Sequence, residues 1–200
     1  MTDNDREFIG YAIAECASKG ISVHFEAKKF VNADNTRCSG YFDEDGKVLM
    51  VASRKAQRDF LPVFVHEFCH FQQWIEKDPI FMNASENTEL DQDMWVWLDG
   101  KDIPKTRVNR SLKAYQKLEL DCEKRVVQHI KDFGLSIIED EYIKMANVYV
   151  LFYSLLSKTR KWYVKPPYHS SKLLKIIPDK FITSFRLPDG FAEIAMDECY

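Results

Sequence analysis

Val63-Phe64-Val65-His66-Glu67-Phe68-Cys69-His70-Phe71-Gln72-Gln73-Trp74-Ile75 is the stretch from which the rest of this chain can be read. It is apolar almost all round, so it predicts a helix that belongs in a core. Asp59 is expected to cap that helix, Pro62 to fall in its first turn, and Asp78-Pro79 to end it. On such a helix His66 and His70 stand one turn apart on the same face. Two imidazoles can then converge on one metal ion while Glu67 projects beside it. The flanks Val63-Phe64-Val65 and Phe68-Cys69 are uncharged. They carry two imidazoles and a carboxylate into surroundings that offer little else to bond, and a metal ion satisfies all three at once. The competing account is an accidental pair of satisfied histidines, since short motifs do arise by chance.

Zinc held by two imidazoles and one carboxylate keeps an open position for water and lowers that water's pKa towards neutrality. Glu67 is then placed to take the proton. The third ligand must come from elsewhere. Asn109 to Asp132 predicts a second long helix stopped by Gly134, on which Leu112, Tyr115, Cys122, Val126, Ile130 and Phe133 form one apolar stripe. Glu119 falls in the middle of the stripe, Glu123 lies one turn away at its margin, and Asp121 points to the opposite face. A carboxylate in that place is costly unless something cationic meets it. Glu119 therefore either pairs with a buried Arg or Lys or ligates the metal, and it is the expected third ligand.

Other polar residues are weighed against it. Glu123 is expected either to orient a ligating histidine through its other ring nitrogen or to be a solvated or i,i+4 partner. His129, at the edge of the same stripe, is either a partly buried histidine or an alternative ligand. Glu76 occupies the place of the last histidine of the longer HExxHxxGxxH motif. Gln73 replaces the glycine that lets that chain turn back, so Glu76 is expected to be carried away. Tyr168 and His169, after the Pro166-Pro167 break, are either donors to the oxyanion of a tetrahedral intermediate or surface aromatics. Cys69 is expected to be a small core residue rather than a nucleophile.

Outward from the two helices, Phe8, Ile9, Ala12, Ile13 and Cys16 recur at helical spacing between Asn4 and Ser18, with Gly20 as a stop. Ile21, Val23 and Phe25 alternate as in a half-buried strand. Gly40 to Phe42 and Lys47 to Ala52 flank Asp43-Glu44-Asp45-Gly46, which predicts a small antiparallel sheet. A long acidic connection is expected from Asp78 to about Lys105, with a short helix from Glu86 to Leu98 carrying Trp95 and Trp97. Asp140 to Leu156 predicts a third, strongly apolar helix. The remainder, broken at Pro166-Pro167, Pro178 and Pro188, is expected to wrap the surface.

The bulk composition sets bounds. Two hundred residues, 46 % of them apolar, suit one domain spanning 1-200. A net charge of -3, with charged residues of both signs, gives no basic footprint, so neither nucleic acid nor membrane is expected as a partner. Met1-Thr2-Asp3-Asn4-Asp5-Arg6 lacks the character of a secretory signal, and Val148 to Leu156, the richest apolar run, is too short to span a bilayer. Cys16, Cys38, Cys69, Cys122 and Cys199 form no CxxC pair, and reduced thiols in a cytoplasmic protein are expected.

His66-Glu67-x-x-His70 on one helix, followed by Glu119-Leu120-Asp121-Cys122 on a later one, resembles a zincin metallopeptidase. The second segment is similar to the Glu-x-x-Ala signature of gluzincins, with Cys122 in the small-residue position. Leu118 to Val127 most resembles the ligand helix of ImmA/IrrE-type peptidases, and is similar to that of compact HExxH proteins of tailed phages. The resemblance implies His66, His70 and Glu119 as ligands of Zn2+ and Glu67 as general base. It also implies a helix-rich α+β fold with a small antiparallel or mixed sheet beside the active-site helix. The expectation is a zinc-dependent endopeptidase acting on a protein or peptide substrate. The alternative is a catalytically silent binding or structural protein that retains the scaffold.

Overall fold

The computed structural model describes residues 1–33, 36–85 and 89–200. They form a helix-rich α+β protein with a three-stranded mixed sheet and a separate two-stranded one. The chain divides into two compact units, one of residues 1–78 with 125–138, the other of residues 79–124 with 139–200.

The first unit opens with α1 (Asp3–Ser18), started by a capping box in which Thr2 Oγ1 accepts from Asp5 N at 3.2 Å and Asp5 Oδ2 accepts from Thr2 N at 2.7 Å. Five strands follow: β1 (Ser22–Glu26), β2 (Val31–Ala33), β3 (Thr36–Cys38), β4 (Gly40–Asp43) and β5 (Val48–Ala52). The antiparallel β4–β5 pair forms as expected, and Gly46 N donates to Asp43 Oδ1 at 2.7 Å in the turn. β1 adds in parallel to β5, so the sheet is mixed, in the order β1-β5-β4. Its buried residues Leu49, Val51 and Ala52 lie on β5, against which α2 (Gln57–Ile75) packs.

α2 begins earlier than expected. Ala56 takes the N-cap position with no side-chain cap, Asp59 sits in the first turn, and Pro62 therefore lies inside the helix. An acidic group in that turn still favours the helix through its dipole. The C-terminal end of α5 (Lys105–Phe133) completes this unit.

Asp5 does more than cap α1. It is fully buried, and it accepts from Ser136 N at 2.9 Å and from Ser136 Oγ at 2.7 Å. Burial raises its pKa, but the hydrogen bonds from Ser136 and Thr2 outweigh it and hold the carboxyl below 3.8. A depressed folded pKa contributes stability above the unfolded value that is lost as pH falls through the folded one. Asp5→Asn is thus expected to cost roughly 1.5–3 kcal/mol at neutral pH, the range for hydrogen bonds to a charged group. It should also flatten the stability profile below about pH 4. Urea melts of both proteins across pH 2–7 check this, and parallel profiles would refute it.

In the second unit the expected connection from Asp78 to Lys105 is largely helical, as α3 (Pro79–Ser85) and α4 (Glu89–Leu98). Glu86, where a helix was expected to begin, lies outside the described residues. Asp93, 3 % exposed, receives a bidentate pair from Arg107, with Nε at 2.9 Å and Nη2 at 2.6 Å. That pairing offsets the cost of burying the Asp93 carboxylate. α6 (Glu139–Thr159) is the expected apolar helix, slightly longer at both ends.

The proline-broken remainder does not simply wrap the surface. A 3-10 turn (Pro167–His169), α7 (Ser171–Ile176) and α8 (Phe191–Cys199) send Leu173, Ile177, Phe191 and Ala195 into the same core as Phe152 and Leu156. Buried Asn147 on α6 fixes the path between them. Its Nδ2 donates to Pro178 O and Lys180 O at 3.0 and 2.9 Å, and its Oδ1 accepts from Ile182 N at 3.1 Å. Among the described residues no helix is long and apolar enough to cross a membrane.

Candidate metal centre

α2 presents the motif as its spacing requires. Glu67, Phe68 and Cys69 are buried, while His66 and His70 are half-buried on one face. The two rings are perpendicular, at 89°, and their Nε2 atoms stand 3.1 Å apart. With Zn–N bonds of about 2.0–2.1 Å and tetrahedral angles, two nitrogen ligands of one zinc are separated by roughly 3.3–3.4 Å. The observed separation is within a few tenths of an ångström of that and is also the length of an N–H···N hydrogen bond between the rings, so the geometry accommodates a shared ion without requiring one.

Gln73, fully buried, places Oε1 2.9 Å from His70 Nδ1. An amide oxygen there accepts the Nδ1 proton, which leaves Nε2 as the basic nitrogen and fixes the ring's orientation. From sequence alone Gln73 stands out only as the residue that replaces a glycine. Its signal was its place three residues after His70, within reach along one helix face.

Glu67 is 7 % exposed. β4 comes close to it at Gly40, where a Cβ would lie 2.9 Å from Val63 Cγ1 and 3.0 Å from both Glu67 Cγ and Met50 O. Only glycine fits that approach. Nearby, the Cys38 thiol is pushed up to about 11, first by burial and next by the Glu67 carboxylate, so it is a neutral thiol at physiological pH. None of the five cysteines is in a disulfide.

The other polar residues of this unit have structural partners. Glu76, just past the end of α2, receives Arg125 Nη1 at 2.6 Å, and Arg125 Nη2 reaches Asp78 at 2.8 Å. His129 lies among the rings of Phe8, Phe68 and Phe133, with its Nε2 2.7 Å from Gln72 Oε1. It is the partly buried histidine of the two expectations.

Glu119 belongs to the second unit and is 7 % exposed, as a residue in the middle of an apolar stripe should be. The hydroxyls of Tyr149 and Tyr153, one turn apart on α6, each lie 3.3 Å from its Oε1 and 3.2 Å from each other. Burial first, and the Glu119 carboxylate second, hold both phenols well above their ordinary pKa, so they remain O–H donors. Neither tyrosine was picked out from sequence. The signal was a pair of polar-tipped rings at i,i+4 on an otherwise apolar helix.

Tyr168 joins this aromatic group edge-on, its ring 6.0 Å from that of Tyr149 and 6.3 Å from that of Tyr163. His169 is exposed, its ring 4.8 Å from that of Tyr168. Glu123 is not solvated. It is 5 % exposed and accepts a hydrogen bond from Tyr142 Oη.

No protein-family model, curated protein or solved structure matches this chain. The class that stands is a helix-rich α+β protein whose α2 carries a paired-imidazole donor set beside a buried carboxylate.

Proposed function

We propose that this chain is a zinc-dependent endopeptidase of gluzincin-like type, with His66, His70 and Glu119 as ligands of Zn2+ and Glu67 as general base. The observation that carries the proposal is the pair of Nε2 atoms 3.1 Å apart on a helix whose intervening Glu67 is buried. Bound zinc supplies a polarised substrate carbonyl and a water acidified towards neutrality. Glu67 takes the proton of the attacking water and passes it to the nitrogen of the scissile bond, so that the amine leaves neutral. Gln73 holds the His70 tautomer, and Tyr149 and Tyr153 orient the Glu119 carboxylate. Tyr168 is the proposed O–H donor for the developing oxyanion. The role of Glu119 as third ligand rests on its place in the sequence stripe and its resemblance to the gluzincin helix.

Metal content of the purified protein tests the reading directly. After chelator-free purification, mass spectrometry is expected to find near-stoichiometric zinc, lost from both His66→Ala and Glu119→Ala. Wild type without zinc would overturn it. Zinc lost from the first variant but retained by the second would remove Glu119 from the site.

A second reading keeps the metal without turnover and makes the chain a binding protein. Trp95 favours it, being 38 % exposed, stacked on Trp162 at 6.1 Å and tied by Nε1 to Tyr115 Oη at 2.9 Å. A rigid exposed aromatic of this kind suits a protein contact. Trp97 does not share the role, since it packs on the core beneath Arg160.

A further inference from the structure

A second feature of the molecule does not involve the paired imidazoles. Within the second unit, α5, α6 and residues 183–187 enclose an open cleft of about 820 Å³. Lys113 and Lys117 enter it from α5, Lys158 from α6, and Arg186 from the third side. Among the described residues, no carboxylate lines the cleft, and none of these four cations is in an ion pair. That is unexpected in a chain with 31 acidic and 28 basic residues. Lys113 and Lys117 are also one turn apart on the same helix face, where like charges repel. Among the described residues no acidic side chain is paired with these cations, which are exposed to solvent.

The floor is built rather than incidental. Gln116, 5 % exposed, donates from Nε2 to Ser154 Oγ at 2.8 Å and to Val150 O at 3.1 Å, and Ser154 Oγ donates to Phe185 O at 2.8 Å. This relay fixes the segment that carries Arg186 against α6. The remaining wall is apolar, from Leu112, Leu187 and the rings of Phe185 and Tyr153.

We propose that this cleft binds a small organic molecule bearing several phosphate charges. Lysines act on phosphate as point charges and arginine as a planar fork, and hydroxyls supply further donors. The volume lies in the range of ordinary ligand sites, and the apolar wall favours a ligand with a ring or chain over bare phosphate. Tyr153 also donates to Glu119, so the cleft shares one wall with that carboxylate.

Calorimetric titration of the full chain with ATP, and separately with tripolyphosphate, tests this. ATP is expected to bind more tightly than tripolyphosphate. Its binding should weaken as salt rises from about 50 to about 200 mM, and should fall at least about tenfold in Lys113→Ala/Lys117→Ala and in Arg186→Ala. These side chains are exposed, so unchanged melting temperatures identify a local effect. Repeating the ATP titration on His66→Ala separates the cleft from phosphate binding at any metal, and affinity is expected to be retained there. No binding of either probe, affinity unchanged by the cleft substitutions, or displacement of ATP by a lower concentration of an acidic peptide or a single-stranded oligonucleotide would each overturn the proposal.

Discussion

Glu67→Gln is expected to retain zinc and fold while turnover falls by about 10²–10⁴-fold, the usual contribution of a positioned general base. The substitution is close to isosteric. The approach of β4 at Gly40, the perpendicular imidazoles and the Gln73 contact should all persist, and what is lost is the capacity to accept and return a proton. The measurement is kcat on a mixed library of quenched peptides, with zinc content in parallel. Undiminished cleavage by the variant would remove Glu67 from the chemistry. A zinc-loaded wild type that cleaves nothing in the library, while holding a partner that survives intact, would transfer the weight to the binding-protein reading.

The second large effect is on stability. Phe8→Ala is expected to destabilise the protein by about 3–5 kcal/mol, the range for removing a fully buried phenylalanine from a core that cannot collapse around the void. Phe8 is 0 % exposed, and its ring lies 5.0 Å from Phe133, 5.2 Å from His129, 5.7 Å from Phe68 and 6.3 Å from Phe64. One side chain thus joins α1, α2 and the end of α5, edge-on to Phe64, Phe68 and Phe133 and tilted against His129, and such ring contacts are favourable beyond the area they bury. Phe8→Leu, which keeps most of the volume, should cost markedly less. Denaturant melts with unchanged slope measure both, and a loss below about 1 kcal/mol for the alanine variant would show that the site collapses after all.

Much of the candidate site is legible in sequence because periodicity and chemistry coincide there. His66, Glu67 and His70 fall on one helix whose apolar neighbours announce its burial, and Glu119 interrupts an apolar stripe where a charge stands out. The tyrosines that hold Glu119 are a different matter. Tyr149 and Tyr153 look like core residues of α6, and only the tertiary arrangement brings their hydroxyls to a carboxylate on α5. The same limit explains the misread segments. Between Asp78 and Lys105 the helix that ends at Leu98 is expected from sequence, but α3 is not, and nothing in the spacing shows that Arg107 neutralises Asp93 within α4. The last third has helices too short to show a period, and its packing depends on Asn147, a polar residue whose three hydrogen bonds no spacing rule predicts. The parallel addition of β1 to β5 is likewise a non-local choice.

The first unit is discontinuous in sequence, and this shapes its history on the ribosome. Asp5 finds Ser136 only across 131 positions, and Phe8 waits for Phe133. At about 5–20 residues/s, roughly 7–26 s of synthesis separate the emergence of α1 from that of the residues that close its core. Over that interval Phe8 and its neighbours on α1 lack the part of their core that the end of α5 supplies. The final step is then a long-range closure whose entropic cost is met only once the end of α5 has been made.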